Sequence, residues 1–73
     1  MILMTLLEAA EGQEYIIKDI ATFDEELNAF LFSLGCYAGE QIVVVSHLKK
    51  SLVVSIKDSR YNIDNALAEA IEI

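Results

Sequence analysis

With 73 residues, the chain has room for one small domain. Folding at that size buries only about 60% of the unfolded surface, so stability rests on a dense apolar content, 55% of residues. Five Lys and Arg against twelve Asp and Glu give a net charge of -7, which excludes phosphate-neutralising nucleic-acid binding and disfavours an anionic membrane face. A basic protein partner is favoured electrostatically, with plain solubility as the simpler account of the same charge. One cysteine, Cys36, leaves no internal disulfide and fits a reducing compartment. The opening MILM is apolar but short, and Glu8 and Glu11 interrupt it far below the about 20 residues of a spanning helix. No basic leader region or cleavage pattern accompanies it. The expectation is a soluble, cytoplasmic protein without direct membrane insertion.

No repeat or linker divides the chain, so residues 1–73 are read as a single domain. Thr5–Leu7 is a short apolar run closed by a turn at Glu11-Gly12. Residues 14–20, EYIIKDI, read as one strand, in which the consecutive Ile16 and Ile17 require either an outward isoleucine or a bend. A helix is expected over residues 23–34. Thr22 and Glu25 have capping-box spacing, and Asp24, Glu25 and Glu26 put negative charge in the first turn. Leu27, Phe30, Leu31 and Leu34 form a core stripe, Phe32 lies off it, and Gly35 suits the left-handed position after the last turn. Gly39 turns the chain into Gln41–Ser46, QIVVVS, which pairs with Ser51–Lys57, SLVVSIK, across HLKK. A tight turn at Asp58-Ser59 leads to a strand over Arg60–Ile63, then a short helical turn near 65–69. Ile71-Glu72-Ile73 alternates and is placed to close the sheet. Five short strands around one helix, without a parallel crossover, make a mainly β fold, a small antiparallel barrel. Gln41–Ser46, if it lies at an edge, offers a route to weak homo-oligomer formation.

These pieces, in this order, resemble the FeoA family, ferrous iron transport protein A. The residues that carry the resemblance are Thr5, Leu6 and Gly12; then Leu31, Leu34, Gly35 and Gly39; then Tyr61, Ile63, Ala70, Ile71 and Ile73. It spans nearly the whole chain. Cys36 departs from it, standing where relatives usually carry a bulkier apolar residue, and Asn62 replaces a small apolar one. The resemblance implies an SH3-like barrel with a helix inserted after the first long strand. It also implies a cytoplasmic accessory protein of bacterial ferrous iron uptake, whose partner is the cytosolic part of a FeoB-type transporter, a membrane protein with a GTP-binding domain.

The residues themselves point to binding rather than catalysis. Three separated glycines make no phosphate loop, and no Ser-His-Asp arrangement has supporting context. Cys36 follows a helix C-terminus, where the dipole disfavours a thiolate, so it reads as a small apolar filler, with partner contact second. His47, the only histidine, reads as an exposed turn residue, and no ligand-spaced cluster assembles with it. No catalytic, cofactor or metal residues are assigned, and no cofactor is expected. The candidate partner surface is Phe32, Leu34, Gly35, Tyr37 and Gly39, two aromatics outside the core stripe beside two glycines; for Tyr37, packing competes with contact. Two other functions stay open: a regulator or carrier that binds Fe(II) directly, and an SH3-like interaction module unrelated to iron.

Overall fold

The computed structural model describes residues 4–73; Met1–Leu3, most of the opening MILM, lie outside the described residues. A 3-10 turn, Leu6–Glu8, comes first. Its capping box is formed by Thr5 and Glu8: the Thr5 hydroxyl accepts from the Leu7 amide at 3.3 Å, and the Glu8 carboxylate accepts from the Thr5 amide at 2.9 Å. Strands β1 (Glu14–Ile16) and β2 (Asp19–Ile20) precede helix α1 (Glu25–Ser33). Strands β3 (Gln41–His47), β4 (Ser51–Ile56) and β5 (Ser59–Asp64) follow, then the short helix α2 (Asn65–Glu69) and strand β6 (Ile71–Glu72).

The strands form two antiparallel sheets, β1-β3-β4-β5 and β2-β6, wrapped around one apolar core. Alternation sets the inner face. Ile42 and Val44 of β3, Leu52, Val54 and Ile56 of β4, and Ile63 of β5 are all buried. They meet Leu6, Ile17, Leu31, Cys36, Leu67, Ala68, Ile71 and Ile73. Val43 pairs with Ser55 and Val44 with Val54, but Ser46 pairs with Val53, so Val45 is an extra residue that bends β3.

The expected strand over residues 14–20 breaks at Ile17. Alternation puts Ile16 outside, 51% exposed, and Ile17 inside, 1% exposed. Ile17 still exchanges backbone bonds with the loop before β3: its amide reaches the Glu40 carbonyl at 2.9 Å, and its carbonyl receives the Gly39 amide at 2.8 Å. The next amide, Lys18, instead donates to Glu72 at 2.7 Å. One residue therefore hands the chain from the large sheet to the small one. The C-terminal strand closes the structure through β2, not through the four-stranded sheet.

Four further expectations need correcting. Gln41–Ser46 is not an edge strand of the sheet: β3 lies between β1 and β4, with β1 paired along Gln41–Val43 and the Gly12 amide on the Val44 carbonyl. Helix α1 starts at Glu25 because Asp24, not Thr22, caps it. The Asp24 carboxylate accepts from the Glu26 and Leu27 amides at 2.9 and 3.3 Å, a charged acceptor at the positive end of the helix. The Thr22 hydroxyl is used one step earlier, on the Asp24 amide at 3.2 Å. The tight turn sits at Lys57-Asp58, both with positive φ (50° and 67°), so Ser59 already belongs to β5. This left-handed pair is the pattern of a two-residue hairpin turn of the primed kind. His47, finally, is exposed as expected but ends β3 rather than standing in the turn: its amide donates to Glu11 at 2.6 Å and its Nε2 to the Ala9 carbonyl at 2.8 Å.

Candidate docking surface

The surface starts from how α1 ends. The Gly35 amide donates to Phe32 at 3.0 Å and the Cys36 amide to Leu31 at 2.9 Å, the paired closure of a Schellman motif. Such a closure requires a left-handed residue, and Gly35 has φ +87°. The chain reverses there, driving Cys36 into the core and bringing Tyr37 back beside the helix it has just left.

Helix geometry decides what this reversal exposes. At about 100° per residue, Leu27, Phe30, Leu31 and Leu34 share one stripe, with Phe30 and Leu31 at its two margins and Phe32 about 100° beyond Leu31. The expected stripe therefore exists, but it is not centred on the core. Leu31 alone is buried and Leu34 is half-buried, whereas Phe30 and Leu27 face solvent. Phe23, left outside the helix by the Asp24 cap, is fully exposed. Helix α1 thus presents two apolar shoulders on either side of a single leucine seam.

One shoulder is Phe32 with Tyr37. Their ring centroids are 4.9 Å apart with planes inclined by 31°, a separation at which aromatic pairs attract. Lys57, from the β4–β5 turn, donates from Nζ to the Tyr37 hydroxyl at 2.8 Å and lies 3.9 Å from Glu40. Nζ is 5.1 Å from the Tyr37 ring centroid, so with its hydrogen bond to the hydroxyl it sits at that end of the ring rather than over its face. Those two partners raise the Lys57 pKa above the usual lysine value, the Tyr37 hydrogen bond more than Glu40. Phe32 remains 66% exposed.

The five candidate positions thus divide. Phe32 and Tyr37 form the outer aromatic ledge. Leu34 is half-buried, and Gly35 is buried beneath the Lys57 stem, where a Cβ would come within 3.3 Å of Lys57 Cδ and 3.4 Å of Ile56 Cγ2. Gly39 is exposed, and its conformation (φ +93°) delivers its amide to Ile17. Lys57 and Glu40 escaped the sequence reading. Lys57 is 20 residues from Tyr37, and only the β3–β4 pairing brings it there. Phe23 could have been found, since an aspartate following it competes with Thr22 for the cap and would leave Phe23 outside.

Reactive chemistry is held down by burial. The Cys36 thiol is 1% exposed, and desolvation pushes its pKa up to about 11, the opposite of an activated nucleophile. His47 Nε2 points at a carbonyl, which fixes its proton on that nitrogen. Among the described residues, no three His, Cys, Asp or Glu side chains converge as a metal site, and no helix is long and apolar enough to cross a membrane.

Four similarities to known proteins bear on this geometry. The family model for the FeoA domain matches residues 4–73. A Helicobacter pylori (strain ATCC 700392 / 26695) protein, provisionally named Fe(2+) transport protein A, is 33% identical over 60 residues, 82% of this chain and 79% of that protein. The crystal structure of an iron uptake regulatory protein, FeoA, superposes with a TM-score of 0.82 at 25% identity, covering 99% of this chain and 94% of the other. Stenotrophomonas maltophilia FeoA, crystallised with zinc and described as a procaryotic SH3 domain protein, gives a TM-score of 0.82 at 19% identity, covering 93% and 86%. At that identity the likeness speaks for the fold, and it is the SH3-like fold that the two sheets and inserted helix build. With the model matched from Met4 to the last residue, and Gly35 and Gly39 carrying the backbone turns on which the pattern depends, the chain belongs to the FeoA family.

Proposed function

We propose that this chain is a small cytoplasmic accessory protein of bacterial ferrous iron uptake that acts by contact with the cytosolic part of a FeoB-type transporter. Its family places it in ferrous iron transport; the contact surface is the step taken here. The observation that carries it is the ledge of Phe32 and Tyr37, ring centroids 4.9 Å apart, with Phe32 exposed to solvent on the half-buried Tyr37. Aromatic side chains held rigidly before binding lose little freedom when a partner covers them, which is why such residues dominate binding energy. The net charge of -7 favours a basic partner surface around that ledge.

Capture by the purified cytosolic domain of the transporter tests this. Phe32→Asp and Tyr37→Asp should each abolish retention while leaving the thermal transition within a few degrees of the parent. Retention equal to that of the parent in both variants would reject the surface.

A further inference from the structure

The other shoulder of α1 borders a groove that the Phe32–Tyr37 ledge does not reach. Ala21, Thr22, Leu27, Ala66, Glu69 and Ala70 line it, between the start of α1 and the outer side of α2. One backbone bond and one side-chain bond hold its walls: the Ala21 amide donates to the Ala70 carbonyl at 2.6 Å, and Asn28 Nδ2 donates to the Thr22 carbonyl at 3.2 Å. Its apolar lining is Ala21, Leu27, Ala66 and Ala70; the exposed ring of Phe30 follows Leu27 one helical turn along α1, and Phe23, fully exposed, stands just before the Asp24 cap. Contiguous exposed apolar surface of this kind, rimmed by polar groups, marks an interaction site.

The rim chooses the occupant. Asp24, Glu25 and Glu26 stand at the α1 end and Glu69 at the α2 end, and neither helix contains a lysine or arginine. We infer that the α1–α2 groove binds an amphipathic helix of a partner protein, one carrying an apolar stripe flanked by lysine or arginine. Such a helix lays its stripe along Phe23, Leu27 and Phe30, while its basic flank meets the acidic rim. A second copy of this chain is a poor occupant: each copy brings a net charge of -7, and α1 would set its own acidic turn against that of its neighbour. The inference does not depend on the transporter contact proposed above, because it uses the opposite shoulder of the helix and the chemistry of the groove alone.

The test uses the full chain, isotope-labelled, titrated with a synthetic helix of roughly 18 residues that has a leucine stripe and lysines elsewhere. Its controls are the same helix with every lysine replaced by glutamate and a scrambled-order peptide. Amide shifts should change first at Ala21, Thr22, Leu27, Ala66, Glu69 and Ala70. Phe23→Ser and Ala66→Arg, both at exposed positions, should each weaken binding at least about tenfold with the unfolding midpoint preserved. Equal binding of the glutamate or scrambled peptide would overturn the inference, as would shifts spread over the whole surface or undiminished affinity in both variants. So would light scattering that shows a dimer which Phe23→Ser converts to a monomer. Loss of transporter capture in Phe32→Asp alone, with peptide binding intact, would keep the two surfaces separate.

Discussion

The Cys36 amide donates to the Leu31 carbonyl at 2.9 Å, and both side chains are buried, so one of the two bonds that end the helix joins two residues of the core. Gly35 makes that bond possible. Gly35→Ala forces a left-handed alanine, at about 1–2 kcal/mol, and adds a Cβ 3.3 Å from Lys57 Cδ. Gly12, with φ +82° and open space around it, pays the backbone term alone. Urea denaturation should therefore show a lower midpoint for both variants, and a lower one for Gly35→Ala than for Gly12→Ala.

Cys36 should be silent toward thiol reagents. A thiol with its pKa near 11 supplies almost no thiolate at pH 8, so reaction with a disulfide reagent should be slow in buffer and fast in urea. The same burial predicts loss of stability in alkali. The folded value lies above the unfolded one, so the contribution is complete below pH 9 and declines as pH rises toward 11. The raised Lys57 pKa has the same sign, being lost as pH rises through the folded value; its exposure to solvent keeps it minor. Cys36→Ser, which buries a hydroxyl, should cost about 1–3 kcal/mol and remove part of the alkaline decline.

The two adjacent isoleucines should behave as opposites. Ile17→Ala opens a cavity in the core and should cost about 2–5 kcal/mol, a large share of the roughly 4–11 kcal/mol available to a domain of this length. Ile16→Ala should change stability by about 0.5 kcal/mol or less. Equal losses in the two would mean that the strand does not break where the backbone bonds place the break.

Titration with Fe(II) under reducing conditions bears on direct iron binding. Cys36 is buried and protonated, and among the described residues no three His, Cys, Asp or Glu side chains converge around it or around His47. Any uptake should therefore be unchanged in Cys36→Ser and His47→Ala. A stoichiometric site lost in either variant would restore the reading as an iron carrier.

Residues whose neighbours in sequence are also their neighbours in space were the legible ones. Gly35 follows an amphipathic run, and Leu52, Val54 and Ile56 alternate, so the helix end and the inner face of β4 could be read from local periodicity. The handover at Ile17 could not, because it depends on Glu72, 55 residues away, receiving the Lys18 amide. The Thr22–Glu25 capping box has the right spacing but loses to the nearer, charged Asp24. The stripe of Leu27, Phe30, Leu31 and Leu34 was found as a stripe, yet periodicity gives the width of an apolar face and not which margin meets the core. That choice is made by the Gly35 reversal and the strands, and it moved Phe30 and Leu27 out to solvent. Tyr37 and Lys57 met through sheet register, which single-strand patterns do not carry.

The single leucine seam under α1 also has a consequence for motion. The strands of the large sheet are tied to each other along their length, whereas α1 is secured by Leu31, the half-buried Leu34 and the turns at its two ends. Amide protons in the middle of α1 should exchange with solvent by a local opening that leaves Val44, Leu52 and Val54 protected, orders of magnitude sooner than global unfolding. Opening of the helix as one unit, about the turns at Thr22 and Gly35, is the motion this exchange should report, and a protein that grips either shoulder should slow it.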